Sequence, residues 1–514
     1  MTEKELYAHI ESGERLHFEG KDASGGLPKS VWESYSSFAN TDGGVMVLGL
    51  VEGDGKFTIQ GVKNPEKLIK EFWDNVNNRE KASVNVLFDR HVYPLSVDGK
   101  KLVVIEVPRA ERQERPVYVG KDVFTGSFRR NGEGDYVCTK ESVEAMIRDR
   151  CDRTADTTVL EKLGVEDLCA ETVSRYRTLF KTYHPDHTWN ELPDDEFLKK
   201  VGALSRSDDG RLHPNVAGLV CFGEFVTIMH SVPNFFLDYR ARLTGKTRWS
   251  DRVCSSDVTW SGNIIDFYFR IHDKIVSDVE VPFALKDGKT RIDETDVHEA
   301  IREVLANALI HADYRGRQGI VIDKYFKEIT ISNPGSMRIS RDAALEGGRS
   351  DPRNMQIFNI FALINIGERA GMGLNNLCNI WKREGFAAPE LLEEWDPDRT
   401  VVKIDFNTKS SQDGEIGPRP SHEPAQEGGR IGPSVVESSQ DDRKIVPSIL
   451  QNELASIKAV YKAIVENPRA TYRGLGAKLG YSKDTIGRAI GRLIKLKVIK
   501  RDGTSQTGHW EVLK

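Results

Sequence analysis

Apolar side chains between residues 297 and 314 recur at Ile301, Val304, Leu305, Ala308 and Leu309, the spacing of one buried stripe on a helix. Glu303, Asn307 and His311 fall four residues apart in the same window, so they share a face beside that stripe. Residues 30–50 read as an amphipathic helix ending near Asn40, a turn at Asp42-Gly43-Gly44, and a buried strand through Val45, Val47 and Leu48. Further strands are expected at 83–88 and 101–107, a helix from Leu160 to Phe180, and strand-like segments at 213–224 and 235–245. A helix at 262–276 and a strand at 320–337 complete the central part. Near the C-terminus the pattern gives helices at 455–465, 470–480 and 485–496, with a turn at 481–484 and two strands after residue 498. The fold class is therefore α/β and multi-domain.

At 514 residues the chain exceeds what one core supports, so several domains are expected. Residues 407–452 are rich in Gly, Pro, Ser and charge and read as a flexible linker. The boundaries that follow are 1–150, 151–292, 293–406, the linker 407–452, and 453–514. The formal net charge of -5 hides a +9 excess over residues 455–514, which leaves -14 on the rest and points to a polyanionic partner for the tail. No apolar run reaches the roughly 18 residues of a membrane span, and the polar start is unlike a signal peptide, so a cytoplasmic protein without membrane contact is expected. Six scattered cysteines, without CxxC pairs, argue against a zinc site or a disulfide framework.

Glutamate one turn before asparagine suits phosphate chemistry. The Asn307 amide oxygen can ligate Mg2+, a hard cation, and the Glu303 carboxylate can orient or deprotonate a water. The plainer reading is an amphipathic helix with a solvated edge. The surrounding order, however, resembles the divergent GHKL-type ATP-binding domain in the C-terminal part of Schlafen AlbA-like bacterial proteins. The resemblance rests on Glu303, Asn307, Ala308, His311 and Tyr314, on Asn333-Pro334-Gly335 after a strand, on Arg353-Asn354 opening a helix, and on Gly371-Met372-Gly373. It implies a GHKL-like α/β sandwich holding ATP and Mg2+, with Glu303 catalytic, Asn307 on the metal, and Asn307, His311, Asn333, Gly335, Arg353, Gly371 and Gly373 around the nucleotide. Where better-known relatives place an adenine-reading Asp, this chain has Asn333-Pro334-Gly335, which leaves the base open.

The N-terminal segment, with Glu11-Ser12, Leu16 to Glu19 and FANTDGG, resembles the Schlafen AlbA-like domain, an α/β fold. Arg129 and Arg130 are candidate phosphate contacts there. Some relatives cut RNA with three metal-binding carboxylates, so an alternative reading is a metal-dependent RNA or DNA nuclease using Glu11 or Glu14, Glu19, and Asp42 or Asp54, with a regulatory ATP site. His17 replaces one family carboxylate. The C-terminal pattern resembles a winged helix-turn-helix, with Thr485 and Arg488 toward base edges and Lys483, Arg492 and Lys500 on phosphates. DNA is the expected partner, RNA a further candidate, and self-association is implied by the resemblance. The whole reads as an ATP-binding regulator, in transcriptional control or antiphage defence. A third reading is a DNA-bound scaffold with a degenerate pocket. His184 and His187 form an HxxH broken by Pro185, His298-Glu299 lacks the second histidine of a zinc protease motif, and Pro28 spoils a phosphate loop before Lys29-Ser30.

Overall fold

The computed structural model describes residues 1–12, 16–53, 56–132, 134–243, 249–277, 279, 285–286, 290–291, 295–367, 371–407 and 455–467, and, further on, 471, 475, 478, 486, 489–490, 493, 498–502 and 509–512. The chain forms two units, 1–414 and 415–514.

In the first unit a four-stranded sheet runs in the order Phe18–Lys21, Gly44–Leu48, Lys100–Val107, Val92–Val97, with the first two strands parallel. The helix Val31–Asn40 packs on it through Val31, Tyr35 and Phe38, and its end is fixed by Asn40. Asn40 donates to the carbonyls of Val117 (2.7 Å) and Phe128 (3.0 Å) and accepts from Val117 N (2.7 Å). One buried amide thus satisfies three backbone groups that would otherwise be orphaned. Gly43 turns the chain with φ +75, where a Cβ would lie 2.9 Å from the Val107 carbonyl oxygen. The expected strand at 83–88 is not one: this segment is held by the Tyr35 hydroxyl, which donates to Val84 O and accepts from Val86 N, and the edge strand is Val92–Val97.

A six-stranded sheet follows, in the order Asp251–Cys254, Leu237–Arg242, Ile320–Tyr325, Glu328–Pro334, Arg399–Asp405, Glu390–Glu394. Leu237–Arg242 and Ile320–Tyr325 pair in parallel, and one hydrophobic core extends from Leu168 to Ile404. Among the described residues, this core draws on side chains from both sides of residue 292. Alternating Leu237, Tyr239, Ile320, Ile322, Ile329 and Ile331 face the helices Ile264–Val276 and Asp296–His311. The apolar run at 213–224 is the buried helix Val216–Phe222, capped by Asn215, whose side chain accepts from Gly218 N at 2.8 Å, and not a strand. A short run buried all round does not reveal its period. The expected strand at 320–337 is a hairpin turning at the exposed Phe326, and the helix expected from Leu160 begins only at Ala170. His184 and His187 sit at a turn, with His184 Nε2 at 3.0 Å from Leu363 O.

The second unit contains the helix Ala455–Glu466 and an antiparallel hairpin of Ile499–Asp502 with His509–Val512. Val460, Ile464, Leu475, Ile486, Ile490, Leu493 and Trp510 form its core. Among the described residues, no helix is long and apolar enough to cross a membrane.

Candidate functional site

The helix Asp296–His311 buries Ile301, Val304, Leu305, Ala308 and Leu309, which leaves Glu303, Asn307 and His311 on the wall of a cavity. Asn354 closes the helix end by donating to the carbonyls of Ile310 and Ala312, both at 2.8 Å. The lining of the cavity is mixed: Met337, Ile339, Ala344, Leu391 and Val402 are apolar, and Glu303, Asn307, Asn333, Arg338, Arg349, Asp351 and Thr400 are polar or charged. Among the described residues the Asn307 side chain makes no hydrogen bond. Gly373, the first residue of the helix Gly373–Glu384, lies directly over the row: a Cβ there would sit 2.3 Å from Glu303 Oε1 and 2.7 Å from Asn307 Nδ2. That helix has no side-chain N-cap, so its first N–H groups and positive dipole end face the same place.

Of the residues singled out by sequence, Glu303, Asn307, His311, Asn333, Arg353, Gly371 and Gly373 all line this one cavity. Gly335 stands behind the wall: its carbonyl accepts from Thr400 Oγ1 (2.8 Å), its N–H donates to Asp398 O (2.8 Å), and a Cβ would meet Arg353 Nη1 at 2.6 Å. Arg353 is itself committed, pairing with Asp149 at 2.8 Å and donating to the carbonyls of His311 and Ser336, each at 2.7 Å. The cavity measures about 130 Å³, below the roughly 300–1,000 Å³ of small-molecule sites. Arg349, Ser350, Asp351, Gly371 and Gly373 also line it, and Gly371 packs against Arg349, where a Cβ would lie 2.4 Å from the carbonyl oxygen.

Burial, with the charges of Arg353 and Arg338, pushes the His311 pKa down to about 4. The ring is neutral in the folded chain at neutral pH, while in the unfolded chain it protonates near 6.5. Its contribution to stability is thus complete above pH 6.5 and is lost as pH falls toward 4, by about 2–3 kcal/mol. Urea denaturation at pH 7 and pH 4.5 should show a smaller acid loss in His311→Gln than in the wild type; an identical loss would contradict the assignment.

Sequence reasoning missed Arg338, Arg349, Asp351 and Thr400, and the brace behind them. Arg109, Arg112 and Arg115 leave the N-terminal domain at intervals of three, a spacing visible in the sequence, and grip the cavity wall. Arg109 pairs with Glu393 (2.5 Å) and donates to Met337 O (2.6 Å), Arg112 pairs with Asp351 (2.6 Å), and Arg115 donates to Arg338 O (3.1 Å). Arg129 and Arg130 are corrected by the structure. Both are buried: Arg129 pairs with Asp398 (2.7 Å) and stacks on Trp395, and Arg130 pairs with Glu19 (2.7 Å) and Asp135 (3.1 Å). Both guanidinium groups are engaged by carboxylates within the protein. Among the nuclease candidates, Glu19 is taken by Arg130 and Lys21, and Asp42 lies 3.7 Å from Arg109. Glu14 and Asp54 lie outside the described residues, as does the Glu11 side chain. No cluster of His, Cys, Asp and Glu fit for a metal is found among the described residues. Lys483, Thr485, Arg488 and Arg492 also lie outside them, and Lys500 is exposed on its strand.

Family models match three parts of the chain. Residues 9–139 match the family model described as "Schlafen, AlbA_2". Residues 144–238 match a domain of unknown function, and 318–402 match "Putative ATP-dependent DNA helicase recG C-terminal". Among solved structures, the chain is similar to the DIP2311 protein from Corynebacterium diphtheriae, at 14% identity over 99% of this chain and 96% of that one, with a TM-score of 0.39. It is also similar to the N-terminal domain of a RecG-related protein from Nitrosomonas europaea, at 29% identity over 26% of this chain and 90% of that one, with a TM-score of 0.21. No curated protein matches the chain.

Proposed function

From a chain that carries a Schlafen AlbA_2 domain followed by a RecG-type ATPase domain, we propose an ATP- and Mg2+-dependent, nucleic-acid-associated regulator, acting in transcriptional control or antiphage defence. The observation that carries it is the Asn307 amide, without a protein partner among the described residues, beside Glu303 and beneath an uncapped helix start. The donor set fits: Asn307 Oδ1 is a hard oxygen suited to Mg2+, the Glu303 carboxylate beside it can accept a proton from water, and the N–H groups from Gly373 onward suit phosphate oxygens. Bound Mg2+ would neutralise phosphate charge. Glu303 would orient and deprotonate an attacking water, while the apolar side chains of the lining, with Asn333 and Thr400 among them, would hold a base. Neutral His311, which also lines the cavity, can donate or accept without adding charge.

Glu303→Ala should spare ATP binding and abolish turnover, read as phosphate release beside calorimetry; turnover at the wild-type rate would remove Glu303 from this role. The tail, residues 453–514, is proposed as a winged helix that binds DNA, supported by the +9 charge of residues 455–514, its helix and hairpin, and the buried Ile486, Ile490 and Leu493. Affinity of the full chain for duplex DNA should fall steeply and linearly in log–log form with salt. A flat salt dependence would favour protein contacts for this tail.

A further inference from the structure

A second cavity, of about 310 Å³, opens where the segment after the helix Lys140–Asp149 meets the turn Asp313–Arg315. Five arginines line it, Arg148, Arg153, Arg315, Arg338 and Arg353, against three carboxylates, Asp149, Asp156 and Asp313. Each carboxylate is spent. Asp149 holds Arg353, Asp313 holds Arg148 at 2.9 Å, and Asp156 accepts from Thr154 and from the N–H groups of Gln356 (2.8 Å) and Ile357 (3.0 Å). Arg153 and Arg315 have no carboxylate partner among the described residues; the Arg153 Nε donates only to the Thr157 hydroxyl at 3.0 Å. Arg338, 7% exposed, keeps a buried Nε without any partner. Two exposed guanidinium groups at the mouth and an unspent N–H in the wall leave the cavity short of negative charge, and planar guanidinium forks match phosphate oxygens.

We propose that this cavity is a second anion site that takes a small phosphate-bearing ligand, distinct from the site at Glu303 and Asn307. Arg338 and Arg353 line both cavities, so they form a shared wall through which occupancy of one is felt in the other. A ligand that draws Arg338 toward the second cavity changes the charge presented to the first, and the two sites are then linked reciprocally.

Inorganic pyrophosphate is the probe, titrated calorimetrically into the full chain, its Asn307→Ala variant and the double variant Arg153→Ala/Arg315→Ala. The Asn307 variant should still bind, because this site does not use that residue, and the double variant in the same background should lose about tenfold or more in affinity. The thiol of Cys151, exposed at the rim, supplies a second reading: pyrophosphate should slow its alkylation in the wild type and not in the double variant. Equal affinity in the double variant, or no pyrophosphate binding by the Asn307 variant, overturns the proposal whatever ATP does at the first cavity. Loss of single-stranded oligonucleotide binding in the double variant, with pyrophosphate binding unchanged, overturns it in favour of a polynucleotide surface.

Discussion

Arg353→Ala should destabilise the first unit by about 3–5 kcal/mol, the usual cost of stripping one partner from a buried ion pair. The change leaves Asp149 enclosed without its cation and removes the donors to the carbonyls of His311 and Ser336. Burial alone would raise the Asp149 pKa, but the charge and hydrogen bonds of Arg353, with Arg338 and Arg115 behind them, hold it below the usual carboxylate range. That carboxylate therefore stabilises the fold above about pH 4, and the contribution disappears as pH falls further. Arg353→Lys should recover little, since an ammonium cannot span both carboxylate oxygens and two carbonyls at once. Urea denaturation gives the comparison, and an unchanged midpoint in Arg353→Ala would show that the pair does not clasp the two domains. The consequence reaches function, because the same residue closes the cavity wall between Gly335 and His311.

Asn307→Ala should have the opposite signature: a stable fold and a lost site. The side chain is half-buried, makes no hydrogen bond among the described residues, and holds no element in place. Removing it costs the fold little, within about 0.5–1 kcal/mol. It removes the one uncharged hard-oxygen ligand beside Glu303, and Mg2+-dependent ATP affinity should fall by about a hundredfold, the scale of a lost charge-assisted contact of about 3 kcal/mol. Thermal stability without nucleotide should stay near wild type, while the shift produced by ATP with Mg2+ should vanish. A variant that unfolds, or one that keeps the full nucleotide shift, would each contradict this division of labour.

How much of this could be read from the chain depended on how local the signal was. The apolar stripe of Ile301, Val304, Leu305, Ala308 and Leu309 fixes a helix and its wet face within one window, so Glu303, Asn307 and His311 were legible together. The FANTDGG turn was legible because its glycines turn the chain locally, with Gly43 at φ +75, whereas the bonds of Asn40 to Val117 and Phe128 were not. The helix Val216–Phe222 was not, because burial on every side erases periodicity. Nor was the joining of Leu237–Arg242 to Ile320–Tyr325, a parallel pairing across more than seventy residues that no local pattern announces. Arg129 and Arg130 misled because adjacent arginines look like surface charge, while their partners Asp398 and Glu19 are far away in sequence. The brace of Arg109, Arg112 and Arg115 depends likewise on Glu393, Asp351 and carbonyls that only the fold brings near.

The most direct measurement is a calorimetric titration of ATP into the full chain, with Mg2+ and then with the metal chelated, alongside the Asn307→Ala variant. The account predicts saturable, Mg2+-dependent binding that weakens sharply on chelation and by about a hundredfold in the variant. No heat of binding in the wild type, or an affinity indifferent to both the metal and Asn307, would contradict it.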